Sequence, residues 1–162
     1  MPAPKSHSST DPIHSLLENY AKRGVFRGFS LQSSRGGVAA FRVVWFYSRA
    51  FELIVDKQKK ILLVPAVLPR VPANIYADFR AFVLSHHDAG LPDHRRTEKT
   101  KARLRCAKRR AGASIAVTAR DEDYAYALQR LIHIIHETFT IFLLDGRYRD
   151  YVVEQLGANP EW

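Results

Sequence analysis

Three groups of side chains in this 162-residue chain have types and spacings that could do chemistry. The tightest is His133-Ile134-Ile135-His136-Glu137, in which a helix would set His133 and Glu137 one turn apart with His136 beside them. Imidazole and carboxylate at such spacing suit zinc, but the enzymatic pattern H-E-x-x-H places its histidines at i and i+4 with the glutamate between them. Here the histidines stand at i and i+3 and the acid lies outside the pair. The plainer expectation is a solvated polar helix face, Arg130, His133, Glu137 and Thr140, carrying an i, i+4 ion pair. The second group, His86, His87, Asp88 and His94, surrounds a loop. Histidine is the commonest transition-metal ligand, yet two histidines closing a helix are accounted for by its dipole. Metal ligation is therefore not expected, with His86, His87, His94, His133, His136 and Glu137 as the weak candidates, and no cofactor is expected. Cys106 falls on the inward side of an alternating segment, where a free thiol is usually inert core. Gly36-Gly37 lacks the pattern of a phosphate loop, and no nucleophilic triad is indicated.

The third group is charge. Between Arg95 and Arg110 lie nine of the 25 basic residues, Arg95, Arg96, Lys99, Lys101, Arg103, Arg105, Lys108, Arg109 and Arg110, against the single acid Glu98. That segment accounts for +8 of the formal net charge of +9. A charge concentrated in this way is a local field able to draw in an anionic partner. Three readings stay open: protection of an exposed strand edge, a surface for nucleic-acid phosphates, and a dock for an acidic protein. Base recognition would also want aromatics or Asn/Gln, and the segment has none.

The elements that must position these groups follow from periodicity. Asp11 caps a helix that has Pro12 at its first position, an apolar face of Ile13, Leu16, Leu17 and Tyr20, and Gly24 as its stop. Ser30 to Gly37 is small and polar and predicts a loop. Val38–Tyr47, β-branched and aromatic with apolar residues on both faces, predicts a central strand. Phe51, Leu53 and Val55 give a second strand, a turn follows at Asp56–Lys60, and Ile61–Val64 begins a third that Pro65 and Pro69 restrict to an edge or an end. Ile75, Phe79 and Phe82 mark a helix ending near His87. Ala102, Leu104 and Cys106 alternate with Lys101, Arg103 and Arg105, and with Ser114–Ala119 they make a hairpin turning through Lys108 to Ala113. Asp121-Glu122-Asp123 starts a helix whose stripe Leu128, Ile132, Ile135, Phe139 and Phe142 is widened by Leu131, Ile134 and Ile141. Asp145-Gly146 breaks it, and a short helix with Tyr148, Tyr151, Val152 and Leu156 runs to Gly157.

The order α-βββ-α-ββ-α predicts an α+β class: one antiparallel sheet, meander plus hairpin, packed against a long C-terminal helix. Residues 1–10 are expected to be a disordered lead and 11–162 a single domain of a size that buries roughly 70% of its unfolded surface. One cysteine excludes an internal disulfide and favours a reducing, cytoplasmic setting, and no apolar run suggests a membrane partner. The element order is similar to that of the type III secretion chaperone-like superfamily, which includes YbjN-type proteins. That resemblance implies a non-catalytic homodimer binding another polypeptide, and it carries over no functional residue. Its chaperones are typically acidic, whereas this chain is basic. The functional expectation is a non-enzymatic binding module that takes an acidic protein partner on its basic hairpin. The alternative is a nucleic-acid binder without sequence preference, and a metal-dependent enzyme ranks third. A homodimer is expected because the second face of Val38–Tyr47 would leave Trp45 or Phe46 in need of cover.

Overall fold

The structure, a computed structural model, describes residues 11–110 and 112–157, so the expected lead falls outside the described residues. Helix α1 (Pro12–Lys22) starts at the foreseen cap, where the Asp11 carboxylate accepts the Ile13 N–H at 2.9 Å, and it buries Ile13 and Leu17. The first correction follows it. Gly28–Arg35 is a strand, β1, where a loop was expected. Its composition is a poor strand signal, but Gly36 and Gly37 both adopt positive φ, 60° and 80°, as a two-residue hairpin turn requires. The turn folds β1 onto β2 (Val38–Val44) in antiparallel register from Gly28↔Val44 to Arg35↔Val38.

Strand β2 stops at Val44 rather than Tyr47, because Tyr47 and Ser48 turn left-handed, each at φ 56°. Trp45 is buried, and Phe46 stacks on Phe139 with ring centroids 4.6 Å apart. The cover that a second subunit was expected to supply comes from the chain itself, from Phe139 for Phe46 and from Phe26 and Phe51 for Trp45. Strands β3 (Ala50–Asp56) and β4 (Ile61–Leu68) complete a four-stranded meander rather than three. Beyond helix α2 (Ala73–Leu84), β5 (Ala102–Arg109) and β6 (Gly112–Ala119) form the basic hairpin.

Among the described residues the six strands form one antiparallel sheet in the order β1-β2-β3-β4-β6-β5. Strand β4 is thus internal despite its prolines, contrary to the expected edge or end. Its pairing with β6 breaks between Val64 and Leu68, and the irregularity accommodates Pro65. At the hairpin, Gly112 has φ +126°, and a Cβ there would overlap the Leu68 carbonyl oxygen. Only glycine allows β6 to begin so close to the end of β4.

Helix α3 (Tyr124–Glu137) is capped by Asp123, which accepts the Tyr126 N–H at 3.0 Å. Asp121 and Glu122 do not share that role, since both sit at positive φ in a tight turn before the helix. The stripe Leu128, Ile132, Ile135, Phe139 and Phe142 is buried as expected, in one cluster with Phe41, Leu53, Leu62 and Val117. Ile141 is not, at 52% exposed. After Glu137 the helix widens into a π turn, Thr138–Phe142, in which each residue rotates less about the axis. The phase slips, and Ile141 leaves the buried side. Helix α4 (Arg149–Leu156) ends at left-handed Gly157.

Among the described residues the sheet therefore has one covered face and one open one. The inward side chains, such as Phe51, Leu53 and Val55 of β3, lie in the core with the helices, while the alternate positions Arg42, Glu52, Ile54, Leu63, Ala116 and Arg105 point the other way and none is buried. No described helix is long and apolar enough to cross a membrane.

Candidate functional site

The strand-like alternation predicted for the basic segment holds: Ala102 and Leu104 are buried, while Arg103 and Arg105 are exposed on the open face. The ladder fixes their neighbours, Arg103 opposite Thr118 and Arg105 opposite Ala116. At the same end of the sheet, Ala119 donates its N–H to the Lys60 carbonyl and Arg120 to the Lys101 carbonyl, both at 2.8 Å. These contacts bring Lys60 and Arg120, far away in sequence, beside the start of β5. Lys60, Lys99, Arg103, Arg105 and Arg120 consequently line one open groove of about 710 Å³, with Asp121 as the acid among the lining residues. Lys60 has a distant, exposed ion pair with Glu122 at 3.8 Å, of the kind that contributes little. Lys99, Arg103, Arg105 and Arg120 have no ion-pair partner among the described residues.

The nine predicted cations do not act as one patch. Arg96 is held by Asp93 and by Glu98, the latter at 2.6 Å. Lys101 lies over the Tyr126 ring, 5.2 Å from its centroid, rather than on the open face. Lys108, Arg109 and Arg110 are exposed at the hairpin tip. Arg95 turns towards α3 and is half-buried. Lys60 and Arg120 were missed because their proximity depends on the β4–β6 pairing, which no single segment encodes.

Arg95 meets the molecule's main buried polar cluster. Its guanidinium binds the Glu137 carboxylate through Nε, at 2.9 Å, and through a second nitrogen. His86 donates from Nε2 to the other carboxylate oxygen, at 3.1 Å. The Nδ1 of His86 faces the Phe82 and Val83 carbonyls at 3.0 and 3.2 Å, so both ring nitrogens face acceptors. His133 Nε2 also lies 3.0 Å from the same carboxylate oxygen, within ion-pair range but out of hydrogen-bond alignment. The Glu137 side chain is 4% exposed and that of His86 1%. This overturns the expected solvated face. The segment bearing Arg95 crosses the polar side of α3 and closes it, joining two histidine groups that are distant in sequence. Burial alone would raise the Glu137 pKa, but hydrogen bonds from Arg95 and His86 outweigh it and hold the carboxyl below its ordinary value. Burial pushes His133 the other way from an ordinary imidazole, to a lower pKa, with Glu137 opposing and Arg130 reinforcing.

The same segment is clasped at further points. Arg130 donates to the His94 and Arg96 carbonyls at 2.8 and 3.2 Å, Thr97 N–H donates to the His86 carbonyl at 2.7 Å, and Glu98 N–H donates to the Tyr126 hydroxyl at 2.9 Å. His87 links the segment to the sheet edge. Its Nδ1–H donates to the Thr97 carbonyl at 2.8 Å, and its Nε2 accepts the Leu104 N–H at 3.0 Å. Burial depresses its pKa, Thr97 opposes, and Lys99 and Arg103 depress it further. A neutral ring is the form that can accept from Leu104. Farther along, the Tyr76 hydroxyl donates to the Cys106 carbonyl at 3.3 Å, so the free edge of β5 is capped by side chains at both points.

Among the described residues, no group of three or more His, Cys, Asp or Glu side chains is placed to hold a metal. His94 and His136 are exposed, and the Glu137 carboxylate is already bound by Arg95 and His86. Cys106 is half-buried, and burial raises its thiol to a pKa of about 11, far from nucleophilic reactivity. Comparison of the chain with protein-family models, curated proteins and solved structures finds no significant match.

Proposed function

We propose that this chain is a binding module whose cationic groove takes an acidic polypeptide. The carrying observation is the convergence of Lys99, Arg103, Arg105 and Arg120 on one groove without acidic partners among the described residues. Edge protection does not explain them. Their side chains stand on the open face and rim, while the backbone of the β5 edge is already capped by His87 and Tyr76. Strand pairing fixes the backbone that carries Arg103 and Arg105, so a partner's carboxylates have only side-chain rotamers left to order there. The groove lining contains no tyrosine, tryptophan or phenylalanine to form an aromatic stacking platform for single-stranded bases, which favours protein over nucleic acid.

The test is fluorescence anisotropy with a labelled Glu/Asp-rich peptide and with random single-stranded DNA and RNA, each at several salt concentrations. The acidic peptide should bind with a strong salt dependence, and the Arg103→Gln/Arg105→Gln variant should weaken it. Tighter binding of random oligonucleotides, with a salt slope that flattens by about one unit per lost phosphate contact in that variant, would replace this reading with the nucleic-acid one. Absence of binding to either class at low salt would remove both.

A further inference from the structure

The groove borders a second feature of the open sheet face. Strand register places Ile54, Leu63, Ala116 and Arg105 side by side across β3, β4, β6 and β5. In the next row, Asp56 pairs with Ile61, Ile61 with Thr118 and Thr118 with Arg103. Small side chains at Ala116, Ser114 and Ala107 leave a dip between the aliphatic side chains of β3 and β4 and the longer side chains of β5. The result is a depression of about 210 Å³ with a floor of Ile54, Ile61 and Leu63 and a rim that includes Arg105, Arg109 and Lys59. Asp56 is the acid among its lining residues, and one of its oxygens already accepts the Gln58 and Lys59 N–H groups, both at 3.0 Å. Half-buried aliphatic residues are framed there by three cations. Arg105 lines both this depression and the groove, so the two are one continuous surface.

We infer that the depression is an anchor subsite for an aliphatic side chain of the acidic partner, whose flanking carboxylates rest on Arg105, Arg109 and Lys59. This rests on the proposed function and narrows it from acidic segments in general to acidic segments carrying a Leu, Ile or Val. A second copy of this chain fits the face poorly. Self-docking would set Arg103, Arg105 and Arg109 of one protomer close to like charges of the other, with Glu52 and Asp56 too few to balance them. Nucleic acid fits the floor poorly too, since aliphatic groups offer a base nothing to stack on.

The experiment compares two short labelled peptides of Glu, Asp and Gly that are identical except for a central Leu or Asn. Burying one aliphatic side chain is worth roughly a tenfold to hundredfold preference for the Leu peptide. Ala116→Gln fills the depression without changing the net charge, and should abolish that preference. Arg103→Gln, in the groove but outside the depression, should weaken both peptides alike. Thermal melts of each variant establish that it is folded, and Ile54→Gln provides a second blocking variant should Ala116→Gln fail to fold. Equal affinity for the Leu and Asn peptides would overturn the anchor and leave the acidic-partner reading standing. Failure of both peptides to bind would overturn that reading and the anchor with it. A dimeric mass in sedimentation that Ala116→Gln converts to monomer would show the occupant to be a second copy, and would equally overturn the inference.

Discussion

Replacing Glu137 by Ala tests the buried cluster most directly. The substitution removes the acceptor for two nitrogens of Arg95 and one of His86, within a site where the Glu137 side chain is 4% exposed. Removing one partner of a buried ion pair generally costs about 3–5 kcal/mol, because the remaining charge has lost its compensation. Arg95 is 35% exposed and can turn towards water, which recovers part of that loss. His86, at 1% exposed, cannot, and an orphaned buried donor alone costs about 1–3 kcal/mol. The expected destabilisation is therefore about 3 kcal/mol, which lowers Tm by roughly 6–12 °C in a chain of this length. Glu137→Gln keeps the shape and one neutral acceptor, so its loss should be about half as large. Urea titrations of wild type, Glu137→Ala, His86→Ala and the double variant supply the measurement. The two single losses should be strongly non-additive, because both sever the same bond. A change below about 0.5 kcal/mol for Glu137→Ala, a size typical of ordinary surface substitutions, would refute the idea that this cluster fastens the 94–98 segment to α3.

Phe139, stacked on Phe46 and edge-on to Phe51 at 5.8 Å, should cost about 3–5 kcal/mol when cut to Ala, as read by chemical denaturation. Gly112→Ala should lose roughly 1–3 kcal/mol from the unfavourable φ alone, and more from the clash with the Leu68 carbonyl, as read by thermal melting. Stability should also fall with acid in two stages. His87 and His133 are held below the ordinary histidine value, so their contribution is complete above about pH 6.5 and is lost as pH falls through that value towards their folded ones. Glu137, held below its ordinary value, adds a second loss beginning near about pH 4.3, and His87→Gln should shrink the first stage in urea midpoints measured from pH 7 to 5 while leaving the second in place.

What the sequence made legible was whatever a single segment encodes. Asp11 and Pro12 announced α1, the alternation of Ala102 to Cys106 announced a basic outer face, and the stripe from Leu128 to Phe142 announced a buried helix. Features produced by the meeting of segments were not legible. Strand β1 is polar because it lies at the sheet edge, and the Gly36-Gly37 turn was its one local signal. Glu137 sits on the side of α3 that periodicity assigns to water, and the crossing segment bearing Arg95 is what buries it. The π turn had a trace in the residues: Thr138 and Thr140 donate their hydroxyls to the Ile134 and His136 carbonyls, both at 2.8 Å, and such bonds compete with the regular helical ladder. Lys60 and Arg120 joined the cationic groove only through the pairing of β4 with β6.

The buried cluster and the groove are mechanically connected through the 94–98 segment. Glu137, Arg130 and Tyr126 fix that segment on α3, and Lys99, a lining residue of the groove, is the next residue along the chain. His87 then ties Thr97 to Leu104, between the arginines of β5. Lysine and arginine side chains are normally mobile, and ordering them on binding costs about 0.5–1.5 kcal/mol apiece. With the backbone supports fixed on both sides, no backbone ordering is added to that cost. The desolvation of Glu137 is thus tolerated in a place where it helps hold the cations in position. The cations in turn help keep His87 neutral and the β5 edge capped, which leaves the open face of the sheet, rather than its edge, as the surface available to a partner.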